Sequence, residues 1–123
     1  MQNFRNLEVW KRSHKLTLQL HDVTSIYPKA QIYGLVSQTT RAAGSIGANL
    51  AEGCGRGTDP DFRRFVQIAM GSACELENHL QLAFDLKFLE EKQYTYLNNE
   101  TVGIKRMLSS LLKRLHEKPR ADS

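Results

Sequence analysis

Hydrophobic positions along this chain recur at helical spacing almost from end to end. Val9, Ser13, Leu16, Leu20, Val23 and Tyr27 follow alternating steps of four and three, which is one stripe on an α-helix. The stripe predicts a first helix over residues 7–27, with Asn6 as N-cap and Pro28 forcing the exit. Leu7, Trp10, His14 and Leu18 form a second set pointing almost the opposite way. A bundle helix needs only one buried stripe, so Leu7, Trp10 and Leu18 are expected to lie under another subunit.

A second helix is predicted over 35–52, after a loop holding Pro28 and Gly34. Between Leu35 and Ala51 its only formal charge is Arg41, and Ala42, Ala43, Gly44, Ser45, Gly47, Ala48 and Ala51 are all small. Glycine inside a helix costs roughly 1 kcal/mol against alanine, which close approach of neighbouring backbones can offset. So few charges imply a helix covered on most sides, again by an oligomer. The run Gly53-Cys54-Gly55-Arg56-Gly57 reads as a flexible turn that stops this helix. It lacks the GxxxxGK[ST] pattern of a phosphate-cradling loop and follows a helix instead of a strand.

Thr58 or Asp59 then caps a third helix over 59–87, with Pro60 in its first turn. Its stripe, Phe62, Phe65, Val66, Ala69, Ala73, Leu76, Leu80 and Phe84, is the clearest in the chain. A fourth helix is predicted over 90–117 on Leu97, Thr101, Ile104, Leu108, Leu111 and Leu115, with a weak spot at Asn98 and Asn99. No alternating Val/Ile/Thr-rich run predicts a strand. Four amphipathic segments on short links imply an all-α fold, an antiparallel up-and-down four-helix bundle over 1–118. Residues 119–123, after Pro119, are expected to form a flexible tail.

A chain of 123 residues is ample for one core. No stretch approaches the roughly 18 apolar residues of a spanning helix, and the first residues lack a secretory layout. The expected place is the cytoplasm, away from membranes. Cys54 and Cys74 form no CxxC pair, so they are expected to be buried or half-buried free thiols. Lys plus Arg is 17 against 13 for Asp plus Glu, a net charge of +4, a mild bias in the direction of nucleic-acid binders. Arg5, Lys11, Arg12 and Lys15 cluster near the start. Lys105, Arg106, Lys113, Arg114, Lys118 and Arg120 cluster near the end.

The polar line Gln38, Arg41, Ser45, Asn49 and Glu52 recurs along the second helix. It reads as hydrogen bonds that fix register between helices or subunits, with Glu52 balancing Arg41; a ligand-facing line is the alternative. Glu75 and His79 are spaced Glu-x-x-x-His, once. Metal-binding bundles use paired Glu-x-x-His motifs, so no metal is expected. There is no GxSxG elbow and no other nucleophile with a recognisable base. Neither an enzyme nor a cofactor is expected.

The run from Gln38 to Gly53, QTTRAAGSIGANLAEG, resembles the Q-x-x-R-A-A-x-S-I-x-x-N-x-A-E-G signature of the bacterial 23S rRNA intervening-sequence proteins. The resemblance continues through Phe62, Phe65, Ala69, Gly71, Ser72 and Glu75, and at the start through Phe4, Leu7, Val9 and Trp10. It implies an up-and-down bundle assembled as a ring-like homopentamer, with no catalytic residues to transfer. A fold relative, the accessory protein of diversity-generating retroelements, is a basic pentamer that binds nucleic acid and a reverse transcriptase. The resulting expectation is a non-enzymatic oligomer that binds RNA or DNA. Its contacts would be Arg5, Lys11, Arg12, Lys15, Arg56, Arg63, Arg64, Lys105, Arg106, Lys113 and Arg114. Gln38, Arg41, Ser45, Asn49 and Glu52 would serve assembly. The alternative is a protein-only scaffold that recruits a polypeptide.

Overall fold

Asn3 accepts a hydrogen bond from the Arg5 backbone N–H and starts a single 3₁₀ turn, Phe4–Asn6. Leu7 then turns extended and opens helix α1, Glu8–Thr24. Asn6, predicted as the cap, is inside the preceding turn. The computed structural model describes residues 2–117; Lys118, Arg120 and the predicted tail 119–123 lie outside them. α1 stops three residues before the predicted Tyr27, where Ser25 and Tyr27 close the end with short-range backbone bonds. A 3₁₀ turn, Lys29–Gln31, and a π turn, Ile32–Val36, lead into α2, Ser37–Arg56.

The predicted stop at Gly53 is not where α2 ends. The helix runs through Gly53 and Gly55 and halts at Gly57, whose φ of 86° is left-handed. Tertiary packing overrides the poor glycine propensity. The Gly53 backbone sits against Phe62 and Phe65, so close that a Cβ there would lie 2.9 Å from atoms of both side chains. Thr58 caps α3, Asp59–Asp85, and accepts from the Asp61 N–H at 3.4 Å, with Pro60 in the first turn. Asp59 and Asp61 suit the positive end of that helix dipole. Lys87, at φ 66°, turns the chain out of α3. The Glu90 N–H donates to Gln93 Oε1 and sets up α4, Glu91–Glu117. α4 passes Asn98 and Asn99 without a break.

Each helix packs on its sequence neighbours, and α4 closes back on α1. No strand occurs among the described residues. Leu16, Leu20, Ile46, Leu50, Val66, Leu76, Leu80, Leu97, Ile104 and Leu108 are fully buried. Each such side chain contributes about 1.5–3 kcal/mol relative to exposure. The most extensive interface joins α2 and α3, where Ala42, Ala43, Ala69 and Ala73 let the backbones approach. On α3 the stripe ends on buried Ala83, with Phe84 only half-buried.

Leu7 and Trp10 are half-buried within the single chain. Both pack on the chain's own core. The Trp10 indole meets the Phe4 ring edge-on at 5.0 Å, stacks with His14 at 4.7 Å and lies over Gly47. The N-terminal turn had no hydrophobic period of its own to announce this role. Leu18, by contrast, remains 60% exposed.

Candidate nucleic-acid interface

Side-chain pairs between helices fix the register of the bundle. Arg12 on α1 donates through Nε and Nη2 to both carboxylate oxygens of Glu100 on α4, at 3.2 and 3.1 Å. Gln19 reaches Tyr96 Oη at 2.9 Å. Ser72 on α3 donates to Ser45 on α2 at 2.9 Å. Lys105 on α4 pairs with Glu77 on α3 at 2.7 Å, and Tyr94 Oη donates to Gln81 at 2.6 Å. Between α1 and α4 the pairs run Arg12–Glu100 then Gln19–Tyr96, and between α3 and α4 Glu77–Lys105 then Gln81–Tyr94, so position rises along one helix as it falls along the other, as antiparallel neighbours require. The starts of α1 and α3 and the ends of α2 and α4 therefore share one end of the bundle.

That end gathers cations that the sequence keeps far apart. Arg5 precedes α1, Arg56 ends α2, Arg63 and Arg64 lie in the first two turns of α3, and Lys113 and Arg114 lie in the last turns of α4, with Arg106 two turns earlier. The acids there are Glu8, Glu52, Asp59, Asp61 and, closing α4, Glu117. The far end is balanced: Asp22, Asp85, Glu90 and Glu91 stand against Lys29, Arg41, Lys87 and Lys92.

The predicted contact residues divide by how they are engaged. Arg12 is held by Glu100 and lies across Gly103, leaving its guanidinium committed to the α1–α4 contact. Lys105 is committed to Glu77, and that hydrogen bond holds its ammonium above the usual lysine pKa. Lys11 pairs with Glu8, and Arg56 with Glu52 at 2.6 Å. Lys15, Arg63, Arg106, Lys113 and Arg114 have no ion-pair partner among the described residues. Lys15, midway along α1, stands apart from the end cluster.

Phe65, which the sequence offered only as core, has a second role. The guanidinium carbons of Arg56 and Arg64 lie 4.9 and 4.7 Å from its ring centre, within cation–π range. Arg5 lies over Phe4 in the same way at 4.5 Å. The rings hold these cations in fixed positions while their charge stays in water. Phe65 reads as core in a stripe, so no signal at the sequence level exposes this.

The polar line on α2 splits in two. Asn49 Nδ2 donates to the Ser45 carbonyl and Oγ at 2.8 and 2.9 Å, and Ser45 joins Ser72 of α3. Glu52 does not balance Arg41: it takes Arg56 one turn along, because i,i+4 side chains face each other. Gln38 and Arg41 instead line a groove of about 560 Å³ between α2 and α3, with Ala42, Ser45, Glu75 and His79. His79 Nδ1 is buried there without a hydrogen-bond partner. Among the described residues no three His, Cys, Asp or Glu side chains converge to hold a metal ion. Both cysteines are free, but only Cys54 is buried as expected; Cys74 lies off the apolar stripe of α3 and is exposed, and burial pushes the Cys54 thiol pKa up.

The sequence profile described as 23S rRNA-intervening sequence protein matches residues 5–110. The chain belongs to this family. The family match includes Arg5, Arg56, Arg63, Arg64 and Arg106 of the basic end and stops short of Lys113 and Arg114. This intervening-sequence protein is also similar to a solved structure from Bacteroides thetaiotaomicron VPI-5482, a protein of unknown function from the S23 ribosomal protein family. The two share 26% identity over 85% of this chain and 95% of that one, with a TM-score of 0.79. No curated protein matches the chain. No helix among the described residues is long and apolar enough to cross a membrane.

Proposed function

We propose that this protein is a non-enzymatic nucleic-acid-binding bundle that sets its basic end against phosphates. The observation that carries the reading is the meeting of Arg63, Arg106, Lys113 and Arg114, none with an internal ion-pair partner among the described residues, with the ring-held Arg5, Arg56 and Arg64. Solvated charge needs no such gathering, and a balanced far end makes the contrast internal to one molecule. Recognition would be through the backbone and weakly sequence-specific, because no helix presents a set of base-reading side chains.

Assembly belongs to the same proposal. A ring-like homopentamer, as the family resemblance implies, would repeat the basic end around the ring and multiply a modest patch. Light scattering should then give about five times the 14.0 kDa of one chain; a monomer would refute the ring.

Binding of labelled structured RNA and duplex DNA across a salt series tests the main claim. About four phosphates neutralised per chain predicts a log–log slope of roughly −4. No binding even at about 50 mM salt would overturn the reading. A second reading, a scaffold that recruits a polypeptide, is favoured by the far end alone. Ile26, Ile32 and Tyr33 are 64%, 49% and 97% exposed there, and partner capture that ignores salt would support it.

A further inference from the structure

We infer that the basic end is built for double-helical nucleic acid and discriminates against single strands. The inference rests on the reading that this end binds nucleic acid, and it comes from the aromatic side chains, not the cations. Proteins that hold single strands combine a basic groove with exposed aromatic faces on which unpaired bases stack. In a duplex the bases already stack on one another, and a protein meets phosphates at fixed spacing.

The aromatic residues at the basic end are Phe4, Trp10, Phe62 and Phe65; the last two are buried, and the half-buried Phe4 and Trp10 already carry a neighbouring side chain against the ring. Phe62 and Phe65 are 3% and 6% exposed, and Arg56 and Arg64 cover the Phe65 ring. Arg5 lies over Phe4, whose ring also meets Trp10, and Trp10 is stacked with His14. The rings that are open to solvent are elsewhere. Tyr33, almost wholly exposed, sits in the α1–α2 connection at the far end. Tyr96 lies early on α4, bonded to Gln19. The fold has therefore placed its two most exposed rings, Tyr33 and Tyr96, away from the basic end.

The cations are also rigidly spaced. Arg106 and Lys113 stand seven residues apart on one unbroken helix, so they lie on nearly the same face and about 10 Å apart along it. That is roughly three base pairs of rise along a duplex strand. A stiff duplex meets such an array without being reordered, whereas a flexible single strand must be straightened to match it and gains no stacking in return.

The test is fluorescence anisotropy of the full chain with four labelled probes of about 20 nucleotides: duplex DNA, duplex RNA, and an unstructured single strand of each. The expected result is duplex binding at least about tenfold tighter than single-strand binding at equal salt, with the two duplex arms showing which helix form is preferred. The pair Arg106→Glu with Lys113→Glu should weaken duplex binding about tenfold or more while leaving the thermal melt unchanged. Single strands bound as tightly as duplexes would overturn the inference and leave nucleic-acid binding standing. No binding of any probe would overturn both. Duplex preference that survives the double reversal in a protein that still melts normally would move the contact off this end and overturn the assignment.

Discussion

Gly53 and Gly55 lie two residues apart on α2, and adding one methyl group to each should move stability in opposite directions. At Gly53 a new Cβ would lie 2.9 Å from Phe62 Cδ1, 2.9 Å from Phe65 Cβ and 3.5 Å from the Phe62 carbonyl oxygen. Both phenylalanines are almost fully buried, so neither can swing away, and the two helices must part slightly. Overpacking of this kind costs about 1–3 kcal/mol, against which the helix gains roughly 1 kcal/mol on replacing glycine by alanine. Two contacts at 2.9 Å, one of them to a Cβ fixed on the α3 backbone, put the cost in the upper half of that range, so the net for Gly53→Ala is a loss of about 1–2 kcal/mol, or about 3–12 °C in Tm at roughly 3–6 °C per kcal/mol for a domain of this size. At Gly55 nothing lies within 4 Å of the added carbon, so Gly55→Ala keeps only the helical gain, at most about 1 kcal/mol. Thermal melts followed by far-UV circular dichroism, backed by urea midpoints at unchanged m-value, read both. A Gly53→Ala protein that melts at or above the parent would refute the claim that a rigid α2–α3 contact holds the basic end together.

Other perturbations separate structural charge from binding charge. Glu100→Gln unpairs Arg12 and should cost about 0.5–1 kcal/mol, since both side chains are partly solvated; the loss should shrink in about 1 M salt, and a midpoint indifferent to salt would deny the pair a role. Lys105→Met should change duplex affinity less than about twofold because Glu77 already engages that ammonium, while Lys113→Glu should weaken it several-fold; equal effects in a binding titration would refute the division. Tyr27 keeps its hydroxyl buried without a partner, and burial pushes its pKa from 10.0 to about 12. The folded state thus holds this proton to higher pH than the unfolded chain does. Its contribution is complete below pH 10 and lost as pH rises through about 12. Tyr27→Phe should stabilise by about 1 kcal/mol at neutral pH and flatten that alkaline loss; urea melts at both pH values would show it.

The four helices were legible because their stripes are strong. Val9, Leu16, Leu20, Leu76, Leu80, Ile104 and Leu108 are buried as their spacing requires. Where the reading failed, a tertiary contact had overruled a local rule. Gly53 looks like a turn until Phe62 and Phe65 of α3 are packed against it. Glu52 was matched to Arg41 across three turns when Arg56, one turn away, is the nearer partner. The basic residues themselves were named from sequence, but their engagement was not. Arg12 and Glu100 are 88 positions apart, and no periodicity links them.

The uneven ends of the bundle have an electrical consequence. Antiparallel helices oppose their backbone dipoles, so in a four-helix bundle those fields largely cancel. The sign of the long-axis field is then left to side chains, and they place the surplus positive charge at the end where α2 gives way to α3. In solution such a particle is a polar rod. Near a polyanion it turns before it touches, presenting the same end on each approach, and fewer encounters are wasted on wrong orientations. Dissolved salt would blunt that alignment and slow capture, which makes the association rate as informative as the affinity.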